Sequence, residues 1–232
     1  MTMGISVNFR TDTMSNAQLD RGARHIGICK QPFYNVSGGS RMDVAQQFIE
    51  RVAVLSPYSR PILRQWPDDG YWEKHTVETF YNNKIAPRVE WLKKYKVIFA
   101  PNNESGNSAA YADWEDAANL HCSGAGIPLA LGTWSTGTPE LADFPKVKRI
   151  FQSLETFGGI WNPHEYFGED AQKSAGNLNR YEDFWKLCDR EDITPPETVI
   201  GETGLCKWVP GNPGHLDPHN GFRKLNISGG DY

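Results

Sequence analysis

Short β-prone runs alternate with helical stretches along the whole 232-residue chain, and this alternation leaves few folds open. The first run, Gly4 to Arg10, places Ile5, Val7 and Phe9 at every second position; the second reads from His25 to Phe33 and the third from Arg60 to Trp66. YKVIFAPNNES, IPLALGTWSTG, GGIWNPHEYFG and TVIGETGLC supply the fourth to seventh. Between the runs, RMDVAQQFIERVAVL carries Val44, Phe48, Ile49 and Val52 on one helical stripe, and His75 to Lys94 reads as helix interrupted at Pro87. Further helices are predicted in SAAYADWEDAANLHCSG, ELADFPKVKRIFQSLETFGG and NLNRYEDFWKLCDRED. Strands separated by helices pair in parallel through right-handed crossovers. The expected fold class is therefore α/β, a (β/α)8 TIM barrel with seven βα units visible, in a single domain over residues 1–232.

Composition narrows the function classes. The 24 basic against 28 acidic side chains give a net charge of -4, which lacks the basic stripe that phosphate backbones require, so no nucleic-acid partner is expected. No apolar run reaches the ~18 residues of a membrane helix. No glycine-rich nucleotide fingerprint follows any strand, and the four cysteines Cys29, Cys122, Cys188 and Cys206 have neither CxxC nor metal-ligand spacing. No cofactor and no metal are expected, and no signal segment is visible at the start, which leaves compartment and oligomeric state open. Aromatic residues at 12%, eight of them Trp, suit either stacking on a flat apolar ligand such as a sugar face or an aromatic-rich core.

In a barrel the active site is built from the C-terminal ends of the strands. The third run closes on Arg64, the fourth on Asn102, Asn103 and Glu104, the fifth on Trp134 and Ser135, the sixth on Asn162, His164, Glu165 and Tyr166, and the seventh on Glu202. Two carboxylates facing each other across a barrel mouth are what glycoside hydrolysis needs, one to protonate the leaving oxygen and one to attack, at about 5 to 5.5 Å in a retaining enzyme. Glu104 and Glu202, from strands three apart in an eight-membered ring, are the candidate pair.

The combination of Asn103-Glu104 after the fourth strand, His164-x-Tyr166 after the sixth and GETG around Glu202 resembles the retaining glycoside hydrolases of clan A, the group of many cellulases, mannanases and xylosidases. LALGTWSTGTPE and GGIWNPHEYFG further resemble clan-A-like barrels of bacterial and phage origin. The resemblance runs from about Arg60 to Glu202. It implies a retaining hydrolase of a β-linked oligo- or polysaccharide, with Glu104 as general acid/base and Glu202 as nucleophile. It also implies that Asn103 binds the hydroxyl beside the anomeric carbon, that Tyr166 and Arg64 hold Glu202 ionised, and that His164 lines the same subsite. Ser105 stands where the family has proline, and no eighth strand with its tryptophan platform is evident.

Two other readings compete. One is a non-catalytic carbohydrate-binding or structural barrel, the other a metal-dependent barrel hydrolase or isomerase using His164, Glu165, Glu104 and Glu202 as ligands. Glu165 alternates with His164 and Tyr166 and is expected to point away from the mouth. Trp134 is either a sugar platform or a cap on the core, and His215, Asp217 and His219 sit in a proline- and glycine-rich loop. From Arg64 to Glu202 the strand ends recur every 34.5 residues on average, which puts the next near residue 236, past Tyr232. A C-terminally truncated barrel, prone to self-association, is the corresponding expectation.

Overall fold

A computed structural model of the protein describes residues 3–5, 7–11, 14–38, 41–64, 71–104, 106–134, 138–167 and 180–205. The strand segments are β1 (Met3–Ile5), β2 (Val7–Arg10), β3 (Phe33–Ser37), β4 (Arg60–Arg64), β5 (Ile98–Ala100), β6 (Ala130–Leu131), β7 (Ile160–Trp161), β8 (His164–Phe167), β9 (Thr198–Ile200) and β10 (Glu202–Leu205). They form parallel ladders in the orders β1-β9-β7-β6, β2-β3-β4-β5 and β10-β8. The fold is α/β with parallel sheets, in the manner of a partial TIM-barrel-like domain. Two links bring the four-stranded sheets together. β1 ends at Ile5 and β2 begins at Val7, while a parallel bridge pairs Phe99 with Leu129, where the Phe99 N–H donates to the Pro128 carbonyl at 3.0 Å.

The ladders differ from the expected eight-stranded ring. Among the described residues no single closed ladder forms, and β9 lies directly on β1, pairing Met3 with Thr198, Gly4 with Val199 and Ile5 with Ile200. The position that an eighth strand would take between the seventh and the first is filled by that contact.

Most of the helices follow the sequence periodicity. α2 (Met42–Leu55) buries Val44, Ala45, Phe48, Ile49 and Val52, and α6 (Ala109–Gly124) starts at Ser108, whose side chain accepts from the Tyr111 N–H. The stretch around Pro87 breaks as expected, into α3 (Tyr71–Lys74), α4 (Val77–Phe80), a π turn at Tyr81–Ile85, a 3-10 turn at Ala86–Arg88 and α5 (Val89–Lys94). Proline has no N–H to donate, so the regular ladder cannot run through it. α7 (Phe144–Phe157) and α8 (Arg180–Arg190) complete the set.

The second expected strand, His25 to Phe33, is corrected. Residues 25–29 end a helix, α1 (Asn16–Cys29), and the strand is Phe33–Ser37. Ile26 and Ile28 alternate like strand residues, yet Leu19, Ala23 and Ile26 share one helical stripe and are buried, while Ile28 is 79% exposed. A capping box between Ser15 and Gln18 fixes the helix start.

The strands divide two apolar cores. Tyr34, Val36, Leu63, Phe99, Leu129, Leu131, Trp161 and Ile200 join the helix faces in a large aromatic cluster. Alternate residues of the same strands, Phe33, Ile62, Ile98, Ala100, Ala130, Ile160 and Val199, form a second and separate cluster. Successive side chains of a strand point to opposite faces, so two cores on one set of strands mean one face under the helices and another turned away from them.

Candidate active site

On that second face the apolar side chains give way to polar ones or to glycine two residues further along four of the strands. Phe33 gives way to Asn35, Ile62 to Arg64, Ile160 to Asn162 and Val199 to Gly201, with Asn35, Arg64 and Asn162 all buried. The Asn35 amide donates to the Gly201 carbonyl, and the Asn162 amide to the Val199 carbonyl at 2.7 Å. Gly201 has to be glycine for this arrangement, because a Cβ there would lie 2.7–2.9 Å from the Asn162 amide group.

At the C-terminal end of this layer four of the sequence candidates meet. Arg64 ends β4, Asn103 and Glu104 follow β5, and His164 opens β8. The Arg64 Nη1 donates to the Asn103 Oδ1 and lies 3.0 Å from the His164 Nε2, while the His164 Nδ1 lies 2.9 Å from the Glu104 Oε1. A guanidinium can only donate, so the Nε2 accepts and the proton of a neutral His164 sits on the Nδ1, from which it donates to Glu104. Burial pushes the His164 ring down to about 4, against the opposing pull of Glu104 and with help from the Arg64 charge. The contact is thus a hydrogen bond from a neutral imidazole at neutral pH, not an ion pair.

Burial works to raise the Glu104 carboxyl, but the hydrogen bond and field of His164 and the charge of Arg64 outweigh it and hold Glu104 below the ordinary glutamate range. Its side chain remains 32% exposed, whereas that of His164 is fully covered. Glu104 also has φ 43°, the left-handed region that costs an L side chain roughly 1–2 kcal/mol. Non-glycine residues held there cluster at functional sites. An acid that must hand over a proton should be kept protonated, whereas these surroundings favour the ionised form of Glu104.

The remaining candidates fall differently. Trp134 is 1% exposed, its ring set among Tyr111, Phe151, Trp161 and Phe184 at centroid distances of 6.2–6.5 Å. Of the two readings, a sugar platform or a core cap, its burial fits the core. Its carbonyl nevertheless accepts the His164 N–H at 3.0 Å, so its backbone helps to seat the site. Glu202 and Tyr166 occupy β10 and β8, with Glu202 in register beside His164 and Tyr166 beside Gly204. Their side chains lie outside the described residues, as do Ser105, Ser135 and the segment bearing His215, Asp217 and His219. Glu165 is 5% exposed, and its charge acts on Arg180 and Tyr181 of α8. For the metal reading, both His164 ring nitrogens are engaged by Arg64 and Glu104, and among the described residues no group of three or more His, Cys, Asp or Glu side chains converges to hold an ion.

Sequence reading passed over Asn35 and Glu115. Asn35 stands inside a strand that was placed elsewhere. Glu115 is a charge on the buried stripe of α6, among Tyr111, Ala112, Ala118, Asn119 and Cys122, and that misplacement of a charge was a legible signal.

No family model matches the chain, and no curated protein matches it. Among solved structures it is similar to a mandelate racemase/muconate lactonizing enzyme from Roseiflexus sp., at 14% identity and a TM-score of 0.44 over 85% of this chain and 55% of that one. It is similar to the 3,6-anhydro-D-galactonate cycloisomerase from Zobellia galactanivorans, at 13% identity and 0.45 over 86% and 54%. An endo-beta1,6-glucanase follows at 9% identity and 0.44 over 86% and 65%. The chain thus spans between half and two thirds of the length of these structures, and at such scores none of them assigns it a reaction. The expected kinship with clan A is corrected: no glycosidase family model and no curated glycosidase matches the chain, and neither the retaining hydrolase nor the non-catalytic barrel derived from one finds support.

Proposed function

We propose that the chain is an enzyme in which Glu104 is the general base of a proton-transfer reaction on a small polar molecule held at the C-terminal ends of the strands. One observation carries this reading. The Glu104 carboxylate is kept ionised by a neutral, fully covered His164 at 2.9 Å and by the buried Arg64 behind it, while a third of the side chain faces outward. Such an acceptor needs no reorganisation before it takes a proton. His164 orients and Arg64 orients His164, so each is a positioning residue, and the Asn103 amide is fixed by Arg64 beside the base. The accompanying fold reading is that the two four-stranded sheets are arcs of one barrel-like ring, supported by the seven apolar residues from six of their strands that gather on the face away from the helices.

The test is a screen of hydroxylated and carboxylated small molecules in deuterated water, read by NMR for product and for deuterium entering the substrate. General-base catalysis is worth roughly 10²–10⁴-fold, so Glu104→Gln should lose at least about 100-fold in rate on any substrate found. Full turnover by Glu104→Gln would remove Glu104 from the role.

A further inference from the structure

Glu115 is fully buried on α6, and among the described residues no charged group opposes it. Its carboxyl accepts three hydrogen bonds: the Tyr111 hydroxyl at 2.6 Å and the Asn102 amide at 3.3 Å on Oε1, and the Gly132 N–H at 2.8 Å on Oε2. Two of these donors belong to different strand ends. Asn102 follows β5 and immediately precedes the Asn103-Glu104 pair, and Gly132 follows β6. The Thr133 hydroxyl closes the circuit by donating to the Asn102 carbonyl at 2.7 Å, and the next residue, Trp134, accepts the His164 N–H through its carbonyl.

The two partners at the heart of the site, Glu104 and His164, are therefore each one short step from the segments that Glu115 joins. Glu104 is two residues from Asn102, and His164 is bonded to the backbone of the residue two beyond Gly132. Ionised, the carboxyl accepts all three donors, and protonated on Oε1 it donates to the Tyr111 hydroxyl and still accepts from the Asn102 amide and the Gly132 N–H, whereas the NH2 of a glutamine must confront one of those two. The left-handed backbone of Glu104 needs such an anchor, since a strained conformation persists only where its surroundings over-determine it.

We propose that Glu115 is a positioning residue for Glu104, clamping the ends of β5 and β6 so that the Glu104 carboxylate meets the His164 Nδ1–H. The inference rests on the reading of Glu104 as the base, but its test needs no substrate and fails separately. With glutamate carrying ¹³C at the carboxyl carbon and histidine carrying ¹⁵N, the Glu104 titration and the His164 Nδ1–H resonance are followed in the intact protein, in Glu115→Gln, in Asn102→Ala and in Tyr111→Phe.

In Glu115→Gln and Asn102→Ala the Glu104 midpoint should rise toward the ordinary glutamate value and the downfield Nδ1–H signal should be lost. Tyr111→Phe, which leaves both strand-end bonds in place, should change neither. If Glu115→Gln does not fold, Asn102→Ala carries the test, because it removes the strand-end bond and keeps the carboxyl. An unchanged Glu104 midpoint in folded Glu115→Gln or Asn102→Ala would overturn the proposal, leaving Glu115 a mere packing element. A changed midpoint together with undiminished turnover by Glu104→Gln would instead uphold the clamp and sink the base.

Discussion

The two ends of the strands' inner face are built from the same alternation and serve opposite ends. At one end Phe33, Ile62, Ile98, Ala100, Ala130, Ile160 and Val199 pack with no polar side chain in their cluster. Two residues along, Asn35, Arg64 and Asn162 replace them, and the Oδ1 atoms of Asn35 and Asn162 are buried with no hydrogen-bond donor among the described residues. Burying apolar side chains stabilises the fold, whereas an unmet buried acceptor costs about 1–3 kcal/mol. One end of the strands thus holds the fold together, and the other gives up stability to present a charged, oriented carboxylate.

The sharpest way to break that contrast is a truncation at the apolar end. Ile62→Ala should cost about 2–5 kcal/mol of unfolding free energy in urea, since Ile62 is fully buried between β3 and β5. A loss below 1 kcal/mol would mean that this cluster is not a core.

The two glutamates around the site, one partly exposed and one fully buried, allow a second test, because their shifts oppose each other. Burial pushes Glu115 up to about 7, whereas Glu104 is held low. For Glu115 the folded state keeps a proton that the unfolded chain has released, so its contribution is complete below the unfolded value near 4.5 and is lost as pH rises through about 7. Relative to the intact protein, Glu115→Gln should therefore gain about 3 kcal/mol between pH 4 and pH 8. A difference that stays flat over that range would show that the carboxyl is not buried as described. Glu104 works the other way, with a contribution present at neutral pH and lost as pH falls through its depressed value.

Gly201→Ala sharpens the boundary between the two ends. The new methyl would force the Asn162 amide off the Val199 carbonyl, at a cost of about 1–3 kcal/mol. Comparable stability with an unmoved Asn162 in a crystal structure of the variant would contradict the close packing. The smallest thermodynamic effect belongs to the functional end itself. Glu104→Gln should alter stability by less than about 1 kcal/mol while activity falls, since Glu104 is partly exposed and strained. A large destabilisation would make it a structural residue.

How much of this was legible beforehand follows from range. Hydrophobic period is local, so α2, α6 and α7 and most strands could be read off directly, and the strand-end rule then brought Arg64, Asn103, Glu104 and His164 together across 100 residues of sequence. The stretch from His25 failed because Ile26 and Ile28 satisfy a two-residue period as well as a helical one, and only burial of Leu19, Ala23 and Ile26 against α2 decides between them. The burial of Trp134 was likewise invisible, since a strand-end tryptophan faces the mouth or the helices according to one residue of register. The direction of the Glu104 shift follows from the His164 contact and the Arg64 charge outweighing burial, which is a property of packing around the carboxyl and of no motif. Resemblance of short motifs misled for the same reason, as Asn-Glu and His-x-Tyr after strands specify positions and not protonation states.

The base role of Glu104 turns on the protonation pattern of the His164–Glu104 pair, and ¹⁵N NMR of the histidine ring over a pH titration reads it directly. His164 should be neutral with its proton on the Nδ1 at pH 7 and take a second proton only near pH 4. A neutral proton on the Nε2 would contradict the base assigned to Glu104, because the Nδ1 lone pair would then face the carboxylate, and protonation near the ordinary value of 6.5 would contradict the buried, neutral ring.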